Sequence, residues 1–245
     1  MRGSKYGLTA LLLLSVLLSS TALRAELTVL AWEREPLSYQ DHNRQAQGLA
    51  VDILKLLMEQ AGEPYRLRFV PLNRAIRAVK LKPETCVLLL ERRQEREAQF
   101  SWVGPLLVSR ISLYSAADNP LSFASLEVAK EFTVLSHMGS GVGDYLQGMG
   151  FTVDYSNHNG LNADKLARQR APLWATSEIS ARVLSQRAGI KAPHEVLPFM
   201  TVMEAMACHV GSDRLRQERL QTTLLALYRT GQIQALYARY GVSLD

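Results

Sequence analysis

The segment EREAQFSWVGPL raises the question of what its arginine, Arg96, is for. A guanidinium offers a planar fork of N–H donors that matches a carboxylate, and such charge-assisted bonds contribute about 1.5–3 kcal/mol when water is excluded. Arg96 is therefore a candidate for holding an anionic ligand. The alternative is that it belongs to a solvated run of charged residues, which also contains Arg92, Arg93, Glu95 and Glu97. The pattern alone leaves both interpretations open.

A second feature suited to an anion is the turn GSGVGDYL, which follows a predicted strand and opens a predicted helix. The first backbone N–H groups of a helix have no partner within it, so those at Ser140 and Gly141 would point toward an anion. The glycines do not form a dinucleotide fingerprint, because a G-x-G-x-x-G pattern read from Gly139 fails at Asp144.

No catalytic or metal-binding motif accompanies these features. No serine lies in a G-x-S-x-G elbow, and neither cysteine lies near an electropositive helix start. The histidines lack the close pairing of zinc ligands; they are His42, His137, His158, His194 and His209. The sequence therefore predicts no metal, no cofactor and no catalytic residue, although carboxylates that meet only on folding would leave no such trace.

The first 25 residues are typical of an export signal. Early positive charges precede an apolar run from Leu8 to Leu18, and small residues stand at two possible cleavage points, after Ala22 and after Ala25. The apolar run is shorter than the ~20 residues that a membrane-spanning helix needs. We therefore expect a periplasmic protein whose signal is cleaved, the alternative being a retained signal anchor.

The net charge of the remaining chain is small. The signal carries three of the 28 basic side chains and none of the 23 acidic ones, which leaves 25 against 23, or +2. A nucleic-acid partner is therefore not indicated. The remaining length, about 220 residues, suits one large domain or two small lobes.

Predicted strands and helices alternate in two successive units. In the first, LTVLAW, YRLRFV and TCVLLL are strand-like and are separated by the helical pattern GLAVDILKLLMEQAG and a helix opened by Asn73. This order is typical of a mostly parallel sheet covered by helices. After the polar break DNPLSFAS the alternation restarts with FTVLS, FTVDYS and APLWAT. A C-terminal helix follows, with a predicted apolar stripe of Leu215, Leu220, Leu224, Leu225, Leu227 and Tyr228.

The two cysteines, Cys86 and Cys208, each lie in an apolar, strand-like run. Export to an oxidising compartment permits a disulfide between them. The alternative is that each is a free, buried cysteine that packs as a small hydrophobic residue. The sequence does not decide, because it does not show whether the two strands are neighbours.

The ordered set of motifs resembles the extracytoplasmic solute-binding proteins of family 3, the receptors of polar amino-acid ABC importers. The matching pieces are the signal, EPLSY…GLAVDIL, EREAQFSWVGPL, FTVLSHMGSGVGDYL and LLALYRTGQIQALYARYG. The resemblance implies a two-lobed α/β fold, the type II periplasmic binding protein-like fold, with two crossing hinge strands and a ligand cleft between the lobes. Residues 26–114 and 203–245 would form lobe one, and residues 115–202 would form the inserted lobe two.

The resemblance also implies a set of ligand-binding residues. Arg96 matches an arginine that grips the carboxylate of the ligand. Glu91 replaces a small hydroxyl residue, and an acid there would favour a cationic ligand or pair with an arginine of the cleft. An aromatic side chain in the first loop could stack on a ligand, although Trp32 could equally pack in the core. The full candidate set is Trp32, Tyr39, Glu91, Arg96, Ser140, Gly141 and Ser177.

The chain departs from the family at two positions. Pro172 and Ser177 stand where relatives carry acids, and the acid at the second position holds the ligand's amino group. Gly141 and Val142 likewise replace polar side chains around the turn. We therefore expect a ligand other than a standard zwitterionic α-amino acid bound in the family's usual way.

The sequence leaves three functions open. We expect a monomeric, non-enzymatic periplasmic protein that captures a small polar solute and delivers it to the membrane permease of an ABC importer. The first alternative is an enzyme on the same scaffold, a dehydratase of small carboxylic acids, with Glu91 and Arg96 as the suspected pair. The second is a sensor component that passes a ligand-dependent shape to a membrane receptor. Transport and sensing use the same closure, so the sequence does not separate them.

Overall fold

The structure is a computed structural model that describes residues 26–244. The predicted export signal and its cleavage points lie outside the described residues. Within residues 26–244, no helix has the length and apolar character needed to cross a membrane.

Ten strands and eight α-helices make up the described part of the chain. The strands are β1 (Leu27–Ala31), β2 (Tyr39–Gln40), β3 (Ala46–Gln47), β4 (Tyr65–Phe69), β5 (Thr85–Glu91), β6 (Ser101–Ser115), β7 (Val134–His137), β8 (Val153–Ser156), β9 (Leu173–Ser177) and β10 (His194–Cys208). The helices are α1 (Leu49–Ala61), α2 (Leu72–Leu81), α3 (Leu126–Ala129), α4 (Gly141–Gly148), α5 (Gly160–Ala167), α6 (Glu178–Arg187), α7 (Arg214–Arg229) and α8 (Gln232–Arg239). A 3₁₀ helix, Gln94–Gln99, links β5 to β6.

Two long strands form the centre of the sheet. The strands β6 and β10 have 15 residues each and pair antiparallel from Ser101↔Cys208 to Ser115↔His194. The complete order is β4-β1-β5-β10-β6-β9-β7-β8. The parallel strands β4, β1 and β5 therefore lie on one side of the central pair, in lobe one, and β9, β7 and β8 lie on the other side, in lobe two. The exact lobe boundaries at residues 115 and 202 stay predictions.

Lobe one contains residues from both ends of the described chain. The core that includes Leu27 of β1 and Ile53 of α1 also includes Leu224 of α7 and Ile233 of α8. Helix α1 begins after Gly48, whose φ of 112° suits glycine, and where an added Cβ would lie only 2.4 Å from a backbone oxygen. The C-terminal helices thus complete a core that the N-terminal strands begin.

The predicted apolar stripe of α7 is partly wrong. Leu220, Leu224 and Leu227 are buried, whereas Leu215 is 71% exposed and Leu225 is 47% exposed. The buried residues follow the spacing of one helical face. Leu225 follows Leu224 directly and so points about 100° away around the helix, which takes it off the packed face.

The two cysteines form a disulfide. Cys86 of β5 and Cys208 of β10 are register partners on neighbouring antiparallel strands, and both side chains are buried. The sheet topology therefore supplies the adjacency that the sequence could not, and it decides between the two alternatives.

Candidate functional site

A cleft of about 640 Å³ lies between the two lobes. Lobe one contributes the ends of β1 and β5 with the segments that follow them, and lobe two contributes the end of β7 and the start of α4. The floor is formed by β6 and β10 through Ile111, Met200, Val202 and Glu204. This volume falls within the range of small-molecule sites, roughly 300–1,000 Å³.

Trp32 forms part of the lobe-one wall and also packs against the core. Its indole Nε1 donates to the backbone oxygen of Leu89 at 3.1 Å, and its ring contacts the apolar cluster around Phe100. The guanidinium of Arg34 lies 5.4 Å from the centre of the Trp32 ring. Trp32 therefore fits both interpretations that the sequence offered. It lines the cleft, and it also packs at the edge of the core.

The charged segment after β5 divides into a surface part and a cleft part. Arg92 points outward and donates from Nε to Glu97 at 2.9 Å. Arg96 is half-buried, lines the cleft and donates from Nη1 to the backbone oxygen of Glu91 at 3.2 Å. In the described part of the chain this is the only hydrogen bond of the Arg96 guanidinium. Its remaining donors face a cleft, although its role in binding stays a prediction.

The Glu91 carboxylate pairs with an arginine of the cleft, which is one of the two outcomes expected for an acid at this position. Its partner is Arg93, and Arg93 in turn reaches across to lobe two. A Cβ added at Gly141 would lie 2.7 Å from Nη2 of Arg93, so glycine at this position leaves the room that the guanidinium occupies. The pair Glu91–Arg93 therefore joins the lobe-one wall to the start of α4.

Ser140 and Gly141 lie in the cleft as the start of α4. The Ser140 hydroxyl accepts a hydrogen bond from the backbone N–H of Gly143 at 3.4 Å and so acts as the N-cap. The backbone N–H of Ser140, expected to point toward an anion, instead donates to the backbone oxygen of His137 at 3.0 Å. The N–H groups of Gly141 and Val142 are the donors of the first turn without a partner in the described chain. The positive end of the helix dipole and the Arg93 guanidinium face the same space, where the Glu91 carboxylate already supplies one negative charge, 3.5 Å from the Cβ position of Gly141.

His137 lies at the end of β7, on the lobe-two side of the same cleft. Burial, followed by the nearby charge of Arg34, lowers the pKa of the His137 imidazole to about 4. His137 is therefore neutral at pH 7. Its Nδ1 is buried and has no hydrogen-bond partner within residues 26–244.

Glu204 is the most deeply buried acid of the cleft. It lies on β10, its side chain is 3% exposed, and one carboxylate oxygen accepts from Arg34. The other oxygen, Oε2, has no partner in the described chain. Sequence reasoning missed Glu204, although it is the only charged residue in the apolar run VLPFMTVMEAMACHV, and that isolation was a usable signal.

The structure does not bring Tyr39 and Ser177 into this cleft. Ser177 is the N-cap of α6, with its hydroxyl accepting from the Ser180 N–H at 3.3 Å, and it lines a separate groove of about 520 Å³. Arg110 and Thr201 line that groove, whereas their neighbours in β6 and β10 line the cleft, so the two spaces lie on opposite faces of the central strands.

Tyr39 instead contacts helix α6. The Tyr39 ring lies 4.8 Å from the guanidinium of Arg187, which also bonds to the Tyr39 hydroxyl and to Glu35. The loop after β1 thus meets lobe two through a cation–π contact and an ion pair. The aromatic character of Tyr39 serves this contact between lobes.

The two lobes, the crossing strand pair and the cleft between them define a two-lobed solute-binding protein. The chain belongs to the bacterial extracellular solute-binding proteins, family 3, whose sequence pattern matches residues 28–243. This confirms the family and the two-lobed α/β fold that the sequence motifs predicted.

Solved structures share this fold at low sequence identity. A histidine kinase sensor domain with similarity to periplasmic binding proteins aligns with a TM-score of 0.74 and 18% identity, over 91% of this chain and 99% of that one. The ancestral amino acid-binding protein AncCDT-1, a precursor of cyclohexadienyl dehydratase, aligns at 0.70 and 19%, over 89% and 96%. The arginine-, lysine-, histidine-binding protein ArtJ of Geobacillus stearothermophilus aligns at 0.70 and 14%, over 90% and 97%. No curated protein sequence matches the chain.

Proposed function

We propose that this protein is a periplasmic receptor that captures a small polar solute bearing an anionic group and delivers it to the permease of an ABC importer. The observation that carries the proposal is the position of Arg96. Its guanidinium is half-buried in the cleft, is held there by a single backbone carbonyl, and has no carboxylate partner within residues 26–244.

A further feature supports an anion at this end of the cleft. The unpaired N–H groups at the start of α4 add positive potential from the opposite wall. Closure of the lobes would remove water from these groups and strengthen each contact. A guanidinium buried by closure without an anion would cost several kcal/mol, so a bound anion would favour the closed state.

Substitution of Arg96 tests the proposal. A thermal-shift screen of small carboxylates, phosphates and sulfonates would find a first ligand, since a ligand at 100 times its Kd stabilises the folded state by about 2.7 kcal/mol. We expect Arg96→Ala and Arg96→Lys each to weaken that ligand at least about tenfold, because lysine keeps the charge but not the fork. Arg92→Ala is the matched control, since Arg92 belongs to the same charged run but pairs with Glu97 on the surface.

The ligand found in this screen also tests the alternative that the protein is an enzyme. A receptor returns its ligand unchanged, whereas a dehydratase of small carboxylic acids would convert it. Proton NMR of the ligand during overnight incubation with the protein would detect conversion. Unchanged affinity in Arg96→Ala would contradict the proposed anion site, and steady loss of the ligand signal would favour the enzyme.

A further inference from the structure

The floor of the cleft carries a carboxylate whose hydrogen bonding is incomplete. Glu204 is buried, and only one of its oxygens has a partner, the guanidinium of Arg34. An ionised carboxylate has about four lone-pair positions, and a buried acceptor without a donor loses the solvation that it would have in water. A group that enters the cleft with a suitable donor would therefore recover that loss.

A second carboxylate stands directly beside Glu204. Glu204 of β10 and Glu91 of β5 are register partners on antiparallel strands, and both line the cleft. Side chains at such positions share one face of the sheet, with Cβ atoms about 4.5–5.5 Å apart, and like charges there destabilise the pair. Arg34 and Arg93 each neutralise one of these acids, so the group left for a further donor is the unpartnered Oε2 of Glu204.

The arginines that pair with these acids are less buried than Glu204. The Arg34 side chain is 23% exposed and the Arg93 side chain is 38% exposed, against 3% for Glu204. The deepest charged group of the floor is therefore negative. Charge-assisted hydrogen bonds to a carboxylate are about twice as strong as neutral ones, which favours a cationic donor over a hydroxyl at this position.

We infer that Glu204, assisted by Glu91, binds a protonated amine or guanidinium at the end of the solute opposite its anionic group. The inference rests on the proposed function, because Arg96 and the start of α4 hold the anion. Glu204 lies on the return hinge strand β10, so the cationic group would be recognised at the floor of the cleft and outside lobe two. The site would thus select solutes that carry both charges on one small chain.

Matched pairs of carboxylates test this assignment. The probes are β-alanine, γ-aminobutyrate, δ-aminovalerate and ε-aminocaproate, each compared with the carboxylate of equal chain length without the amine. We expect at least one amino member to bind the wild-type protein about tenfold or more tightly than its partner, by calorimetry. Glu204→Gln should reduce that preference to about threefold or less, because the amide keeps the shape of the side chain and loses the charge.

Two other variants keep the test decisive. Glu195→Gln is the control, since Glu195 lies on the same strand but bonds to Ser112 at 2.6 Å outside the cleft, and it should leave the preference unchanged. If Glu204→Gln does not fold, Glu91→Gln takes its place and should reduce the preference in the same direction by a smaller factor.

The outcomes separate this inference from the proposed function. If plain carboxylates bind the wild type as tightly as the amino members, or if Glu204→Gln keeps the preference, the role of Glu204 is refuted and the anion site stands. If neither these probes nor the anions of the thermal-shift screen bind the wild type, the proposed function fails and the inference fails with it.

Discussion

Two groups of ion pairs in lobe one show how differently the same residue types can be used. Remote from the cleft, Glu63 is fully buried and both of its oxygens have partners, Nε of Arg216 at 3.0 Å and Nε of Arg219 at 2.9 Å. Arg216 also pairs with Glu84, which accepts a hydrogen bond from the backbone N–H of Asp213 before α7. This network ties the C-terminal helix to the end of α1.

The ion pairs of the cleft are less complete. Glu204 has one oxygen without a partner, and Arg96 has one backbone partner for its whole guanidinium. His137, on the opposite wall, has an unpartnered Nδ1. Buried polar groups are normally satisfied, so a completed network indicates a structural role, whereas unsatisfied groups around a cavity indicate a ligand.

The largest effect is expected from breaking the network around Glu63. Arg216→Ala removes a buried cation that pairs with the fully buried Glu63, which should lower the free energy of unfolding by about 3–5 kcal/mol. Urea denaturation would measure the loss. Ligand affinity of the folded variant should stay at the wild-type value, and a loss of less than about 1 kcal/mol would contradict a structural role for this network.

The next effect should appear in the pH dependence of stability. Because the pKa of His137 falls to about 4 in the folded state from an ordinary value near 6.5, the unfolded chain binds more protons between these values. Folding stability should therefore be highest above pH 6.5 and fall as the pH is lowered toward 4, by about 3 kcal/mol from this residue.

The comparison for this prediction is His137→Asn, which removes the titrating group and keeps a small polar side chain. The unfolding free energy of the wild type minus that of the variant should fall steadily from pH 7 to pH 4, by about 3 kcal/mol in total. A constant difference across that range would show that His137 titrates normally.

A smaller loss of stability is expected at Glu204. Glu204→Gln leaves Arg34 without its anion, but Arg34 is partly exposed and can reach water, so the cost should be about 1–3 kcal/mol. This cost should lie below that of Arg216→Ala in the same urea experiment. If Glu204→Gln were as unstable as Arg216→Ala, Glu204 would have a structural role like that of the Glu63 network, and the assignment of Glu204 to ligand binding would be contradicted.

The smallest effect is expected at the surface pair of Arg92 and Glu97. Both side chains are exposed, and pairs of this kind contribute about 0–1 kcal/mol. Arg92→Ala should therefore change neither the urea midpoint nor ligand affinity to a measurable extent. A clear loss of affinity would show that the charged segment acts as a whole, and the separation of Arg92 from Arg96 would then be wrong.

Much of the fold could be predicted from the sequence, because strands and helices are indicated by residues that are close together in the chain. Alternating strand and helix patterns gave the two units, and the ordered motifs gave the family. The apolar stripe of α7 was predicted too widely, because Leu215 and Leu225 are apolar residues that point to solvent. Hydrophobic residues are common on surfaces, and residue type alone does not exclude them from a stripe.

The site could be predicted only in part because its residues are far apart in the sequence. Trp32, Glu91, Arg96, Ser140 and Gly141 do line the cleft. The residues that were missed are Arg34, Arg93, His137 and Glu204, whose contacts depend on the pairing of β5 with β10 and on the approach of the lobes. Local sequence patterns do not show which strands pair. For the same reason they did not show whether the two cysteines form a disulfide.

The disulfide between Cys86 and Cys208 also closes a long loop in the chain. Its two residues are separated by 122 positions, and strands β6 to β9 all lie between them. A bridge across so long a loop restricts the unfolded chain strongly, because the loop-closure entropy that a cross-link removes grows with loop length. Because the chain contains two cysteines only, neither thiol has a wrong partner within its own chain. The bridge therefore favours lobe one without offering an incorrect intramolecular alternative.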